Sequence, residues 1–350
     1  MKIKLKKLNE QTIVITGASS GIGLVTARMA AKKGARLVLV ARSEEPLKQL
    51  VTELAAGGTK AIYVRADVAE EDDVEQIAAA AIAEFGGFDT WVNNAGVSIY
   101  GTLLEVARED MRQLFETNFW GLINGSLTAA RHLRQRGGAI INVGSTLSDR
   151  AIPMQGMYCA SKHAVKGFTD ALRMELEVEN APVSVTLVKP GAIDTPYPHH
   201  AKNYMELEPK NPGPVYAPEV VAEVILHCAE HPMRDVFAGA GGKMLSAQGY
   251  YAPRLTDKFM ERSSIGQQRS EWPRHGEENG LFDPSGKLQE RGGHPGRVFE
   301  RSLYSQATMH PILSATLAIG AGLGLAALLR NGPSKSLRSK AKRLRDAVHS

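Results

Sequence analysis

Tyr158 and Lys162 stand four residues apart in the run Tyr-Cys-Ala-Ser-Lys. On a helix that spacing places both side chains on one face. An ammonium group beside a phenol stabilises the phenolate, so the pair predicts a tyrosine pKa below the usual ~10. A tyrosine tuned in this way exchanges protons near neutral pH. Ser145 lies upstream at the end of INVGS, a further hydroxyl available to the same chemistry. Much earlier, residues 16–23 read TGASSGIG. Gly17, Gly21 and Gly23 let the backbone turn tightly and approach a pyrophosphate. The helix that follows offers free N–H groups and its positive dipole end, so Ser19, Ser20 and Ile22 of the turn join the glycines as candidate ligands.

These residues need a frame, and the hydropathy pattern supplies one. QTIVIT precedes the glycines and LVTARMAAKKG follows them at helical period. ARLVLVA is a second buried run, then SEEPLKQLVTELAAGG predicts a helix opened by Ser43 and closed by Gly57. AIYVRAD, FDTWVNNAG, GGAIINVGS, VSVTLVKPG and RDVFAGAG continue the strands. Helical segments alternate with them, including 105–136, broken near Thr117 and Asn118, and about 156–180. Strands separated by helices of this length predict right-handed crossovers and a parallel sheet. Apolar strands such as LVLV fit a sheet covered on both faces. The fold class is therefore α/β, a Rossmann-type doubly wound parallel sheet of about seven strands flanked by helices.

Cofactor choice follows from the end of the second strand. An acidic residue there would bind the ribose hydroxyls of NAD and repel a 2′-phosphate. The chain has Val40-Ala41-Arg42 instead. Ala41 removes the repulsion, Arg42 offers a cationic fork, and Ser43 and Ser20 offer hydroxyls, so NADP(H) is expected over NAD(H).

In composition the 350 residues are 43% hydrophobic and 23% charged, as in a globular protein. The net charge of +5 sits at the ends, at Lys2, Lys4, Lys6 and Lys7 and again from Arg330 to Arg345. The near-neutral middle argues against a nucleic-acid groove. Two cysteines, Cys159 and Cys228, give neither a disulfide framework nor metal-ligand spacing and suit a reducing compartment. His199 and His200 have no clustered partners, so no metal is expected. The basic start lacks the apolar run of a signal peptide, which predicts a cytoplasmic site.

TGASSGIG, NNAG at 93–96, Tyr158 with Lys162, and Pro190-Gly191, in that order, resemble the short-chain dehydrogenase/reductase family over about residues 8–255. The resemblance implies hydride transfer between a nicotinamide and a carbonyl or alcohol carbon. It implies Tyr158 as proton donor or acceptor, and Lys162 as the holder of the nicotinamide ribose that also lowers the tyrosine pKa. Ser145 would bond the substrate oxygen, and Asn118 would hold a water in a proton relay. Asp67, with Val68 after it, would lie near the adenine. Asn94, Ala95 and Gly96 would line the cofactor groove. Pro190, Gly191 and Ile193 would lie beside the nicotinamide, and Thr195 would bond its carboxamide. The segment after the sixth strand would cover the substrate, with Tyr197, His199, His200, Tyr204 and Met205 as candidate contacts to an apolar ligand. A homo-oligomer, dimer or tetramer, is the family habit. The alternatives are an NAD-linked alcohol dehydrogenase and a membrane-tethered cofactor-binding protein without turnover.

The domains expected are a cofactor-binding domain at 1–255, an irregular extension at 256–311, a hydrophobic helix at 312–330 and a basic tail at 331–350. Residues 312–329 carry no charge and would span ~27 Å as a helix, close to a bilayer core. The basic tail would keep the C-terminus on the cytoplasmic side, where the cofactor site must also lie. Membrane association at the cytoplasmic face is therefore expected without a required crossing, with docking on protein as the alternative.

Overall fold

The computed structural model describes residues 3–274, 279–311 and 314. The chain divides into two units, 1–305 and 306–350. In the first, seven strands form one sheet. They are β1 (Thr12–Thr16), β2 (Arg36–Ala41), β3 (Ala61–Arg65), β4 (Thr90–Asn93), β5 (Gly138–Val143), β6 (Val183–Pro190) and β7 (Asp235–Ala238). The spatial order is β7-β6-β5-β4-β1-β2-β3 and every pairing is parallel. Strand order reverses between β1 and β4, and the carboxyl ends of those two strands open the crevice where doubly wound sheets bind ligands.

The strands form because their residues suit burial on both faces. Every residue of β1, β5 and β6 is buried. Helices α1 (Gly21–Lys32), α2 (Glu44–Ala56), α3 (Glu71–Phe85), α4 (Arg108–Phe115), α5 (Gly121–Arg136), α6 (Gly156–Val178) and α7 (Pro218–Glu230) cover the sheet. Local signals stop and start them. Gly86 takes the left-handed conformation after α3 at φ 76°, and Pro218 opens α7. The break expected near Asn118 is a π-helical turn, Glu116–Trp120, joining α4 to α5. Such a turn widens the helix locally and re-aims the side chains on it.

Beyond β7 the chain is more regular than expected. Helix α8 (Ala240–Tyr251) is followed by α9 (Pro253–Gln267), then a strand, Arg269–Pro273, antiparallel to Leu207–Pro209. A second short strand, Val298–Phe299, pairs with Val215–Tyr216. Between them residues 279–297 run without helix or strand. The hydrophobic helix and basic tail expected at 312–350 lie outside the described residues, Ser314 excepted. Among the described residues no helix is long and apolar enough to cross a membrane.

Candidate active site

At the end of β1 the chain turns through Gly17, at φ 68°, and Gly21, at φ 51°. Both angles favour glycine. The turn is held to the exit of β4 by paired bonds. The Asn94 side-chain amide donates to the Thr16 carbonyl at 2.9 Å, and Thr16 Oγ1 accepts the N–H groups of Asn94 and Ala95. A Cβ on Gly23 would sit on the Gly17 carbonyl oxygen, so Gly23 lets α1 pack on the turn. The chain thus forms a backbone cradle at a helix start, a shape that fits a dinucleotide pyrophosphate, with the Gly21 N–H bonded to the Gln289 carbonyl.

A cavity of about 880 Å³ runs from this cradle to the catalytic candidates. Gly17, Ser19, Ser20, Gly21, Ile22, Arg42, Asp67, Val68, Asn94, Ala95 and Gly96 line it. Pro190, Gly191, Ile193 and Thr195 line it too, with Ser145, Tyr158 and Lys162 at its heart. Gly23 and Asn118 are not on its wall. Gly23 packs behind the turn. Asn118 holds the loop after β4, its Oδ1 accepting the Val97 N–H at 2.7 Å and its Nδ2 donating to the Val97 carbonyl at 2.9 Å. This asparagine has its side chain bonded to backbone, an arrangement the relay expectation did not include.

Tyr158 and Lys162 share a face of α6, with Lys162 Nζ 5.7 Å from the centre of the Tyr158 ring. Nζ donates to the Val143 carbonyl at 2.9 Å. A Cβ on Gly96 would come within 3.2 Å of Asn118 Oδ1, so glycine there leaves room for the group behind it. Ser145 Oγ accepts the Leu147 N–H at 3.0 Å, and its own N–H donates to Ser148 Oγ. Ser148 is therefore a brace for Ser145.

The tyrosine pKa departs from expectation. Burial pushes Tyr158 above its ordinary value, and hydrogen bonds with Tyr197 and Ser145 only partly oppose it. Lys162 is not among the groups that lower it. The reason is desolvation of both partners: burial also pulls Lys162 down to about 8. Tyr197 is raised well above its ordinary value by burial and by Tyr158 beside it. The protein alone therefore keeps Tyr158 a neutral phenol, an acid ready to donate.

Arg42 also departs from expectation. Its guanidinium lies on the cavity wall but donates to the backbone carbonyls of residues 280–283, with the Asp67 carboxylate 3.7 Å away. Ser43 precedes α2 without capping it through its side chain; its Oγ accepts the Gly286 N–H instead.

The cover is partly as expected. Tyr197 and His200 line the cavity, and Tyr197 Oη donates to the Val97 carbonyl at 2.9 Å. Three expected contacts are elsewhere. Tyr204 bonds Asp110 at 2.7 Å, Met205 is buried beside Tyr100 and Met154, and His199 bonds the Gly292 carbonyl. The apolar wall comes instead from Leu147, Ile152, Met244, Leu245, Phe259 and Met260. Four of these lie on α8 and α9, where sequence patterning gave no sign that they line this cavity. Among the described residues no group of three or more His, Cys, Asp or Glu could hold a metal.

Known proteins resemble this chain in sequence and in fold. A family model described as short chain dehydrogenase matches residues 11–205. Over 323 residues the chain is 51% identical to an uncharacterized oxidoreductase of Bacillus subtilis, YxnA, covering 91% of each chain. An alcohol dehydrogenase from Thermococcus sibiricus, solved with 5-hydroxy-NADP, superposes with a TM-score of 0.58 at 27% identity, over 65% of this chain and 95% of that one. A short chain dehydrogenase/reductase from Burkholderia phymatum, solved with NAD, superposes with a TM-score of 0.63 over 79% of this chain and all of its own. At 24% identity the last likeness speaks for the fold alone.

Proposed function

The chain belongs to the short-chain dehydrogenase/reductase family of oxidoreductases acting on CH–OH and C=O groups, and from that premise we propose that it reduces an apolar ketone or aldehyde with NADP(H), using Tyr158 as the proton donor. The observation that carries this reading is that Tyr158, Ser145 and Lys162 line one cavity with the glycine turn. A nicotinamide dinucleotide bound there supplies the hydride, or accepts it in the reverse direction. Tyr158 donates its phenolic proton to the carbonyl oxygen as the carbon is reduced, and its burial favours the neutral form needed for that. Ser145 Oγ, held by Leu147 and Ser148, orients the same oxygen. Lys162, anchored on Val143, keeps a cation below the phenol as it loses its proton. Asn118 positions the Val97 carbonyl, which in turn holds Tyr197 beside Tyr158.

NADP(H) is favoured because β2 ends in Ala41 with the Arg42 cation after it on the cavity wall. One observation favours NAD(H): the Arg42 terminal N–H groups already face carbonyls, and Asp67 is close. The ratio of kcat/KM with NADPH and NADH decides between them. If Ala41→Asp left an NADPH preference unchanged, the charge argument would fail.

Tyr158→Phe should lower NADPH oxidation across a panel of apolar carbonyls by about 10²–10⁴-fold while NADPH binding stays near the wild-type level. Undiminished turnover in that variant removes the assignment. Membrane attachment through 312–330 is a separate reading from the sequence. Fractionation of the full chain beside a form ending at 311 tests it, and equal partitioning of the two would refute it.

A further inference from the structure

Residues 280–294 lie past the end of the family match, yet they touch the cofactor motifs one after another. Arg42 Nη2 donates to the Gly280 carbonyl at 2.5 Å and the Asp283 carbonyl at 3.1 Å. Its Nη1 donates to the Phe282 carbonyl at 2.9 Å and the Leu281 carbonyl at 3.4 Å. The Gly286 N–H donates to Ser43 Oγ at 3.2 Å. Gln289 pairs with Ser20 as a parallel bridge, and its carbonyl accepts the Gly21 N–H at 2.9 Å. Glu290 forms an ion pair with Arg28 of α1 at 2.8 Å. Asp194 Oδ1, next to Thr195, accepts the N–H groups of Gly292 and His294 at 3.1 and 3.0 Å. The order of these contacts follows the path laid out for the dinucleotide, from the end of β2, over the glycine turn, to the Thr195 side.

Two glycines let this segment lie so close. A Cβ on Gly286 would fall on Ser19 Oγ, and one on Gly292 would fall on the Thr195 carbonyl oxygen. The segment nonetheless leaves the cleft open beneath it. Gly280, Pro284, Ser285 and Gly286 line the same cavity of about 880 Å³ as the glycine turn and Arg42. It is a roof over that space. The likeness to the Bacillus subtilis protein covers so much of the chain that it must include this segment.

We propose that residues 280–294 form a strap closed over the dinucleotide cleft, which holds the cofactor in place and must lift for it to enter or leave. The strap rests on the reading that this cleft takes a nicotinamide dinucleotide. Arg42 is then a latch as well as a cofactor contact, since its terminal nitrogens tie the strap down at the cleft's ribose end.

The test uses the full chain and two variants altered on the strap alone, away from Tyr158, Ser145 and Lys162. Gly286→Val inserts side-chain atoms against Ser19 and Ser43, and Glu290→Lys turns the Arg28 pair into a repulsion. Release of bound NADPH, and separately of NADH, is followed by its fluorescence after mixing with excess oxidised cofactor. Thermal melting confirms that each variant is folded. The dissociation rate constant should rise about tenfold in both variants, because weakened contacts act mainly on the off-rate. Amide hydrogen exchange of residues 286–294 in the cofactor-free protein should speed up in parallel. Unchanged release in folded variants overturns the strap and leaves the dinucleotide reading intact. An association rate that rises while release stays constant would make the segment a plug competing with cofactor, and also overturns the proposal. Wild-type protein that binds neither dinucleotide would refute the underlying reading, and the strap with it.

Discussion

Lys162 is the residue at which activity and stability pull apart. It is almost fully buried, its ammonium has one protein acceptor in the Val143 carbonyl, and burial brings its pKa from 10.5 to about 8. A lysine whose pKa is lowered by folding is protonated in both states below about 8 and carries its full desolvation penalty there. Between about 8 and 10.5 the unfolded chain holds a proton that the folded chain has released, so stability rises with pH across that window. The gain integrates to on the order of 3 kcal/mol, at about 1.4 kcal/mol for each pH unit. Lys162→Met should abolish this slope. At pH 7 it should melt no lower than wild type, because relief of the buried charge offsets the ~1–3 kcal/mol lost when the Val143 carbonyl is left without its donor. Urea unfolding of both proteins at several pH values checks this, and parallel stability profiles would show that the burial argument is wrong. The same variant should be nearly inactive, which separates a group kept for chemistry from one kept for folding.

Among the elements, the turn from β1 to α1 shows what local sequence can and cannot encode. Gly17 and Gly21 were readable because a positive φ at a strand-to-helix turn is a property of the residue itself. Gly23 is different, since it faces the turn and lies off the cavity wall. Gly23→Ala would drive a methyl group into the Gly17 carbonyl and prise α1 away from the cradle. We expect a loss of about 1–3 kcal/mol in stability and a larger proportional loss of NADPH affinity, measured by melting and by fluorescence titration. Wild-type affinity in a destabilised variant would mean that the cradle does not depend on this packing. The strands and helices were legible for a similar reason, as buried β-branched runs and helical periods are local signals. The strap was not. Arg42 meets carbonyls some 240 positions away, and Gly286 meets Ser43 through its backbone N–H. Backbone groups are the same in every residue, so composition and period cannot announce such partners. The direction of the tyrosine pKa is not legible either: spacing tells which groups are neighbours but not how completely both are removed from water.

At the scale of the whole first unit, the chain beyond the family match is built into the frame of the candidate site. The link lies at the far end of α9. Gln268 is fully buried, its Oε1 accepts the side-chain amide of Gln155 at 2.8 Å, and its Nε2 donates to the Pro153 carbonyl at 3.0 Å. Gln155 precedes α6, the helix that carries Tyr158 in its first turn, and it also lines the cavity. A residue 110 positions beyond Tyr158 therefore braces the segment from which the phenol is presented. Truncating it as Gln268→Ala would leave the buried Gln155 amide and the half-buried Pro153 carbonyl without these partners. Each such group costs about 1–3 kcal/mol, so a loss on the order of 2–6 kcal/mol is expected for the pair. Misplacement of the first turn of α6 should lower kcat more than it raises KM for NADPH, because the glycine cradle lies on other elements. Gln268→Glu keeps the oxygen that accepts from Gln155 and lacks the donor to Pro153, so it should recover part of the rate. An alanine variant that melts and turns over as wild type would reduce α9 to a passive cover. A fall in kcat with partial recovery in the glutamate form would instead make the extension part of what aligns the proton donor.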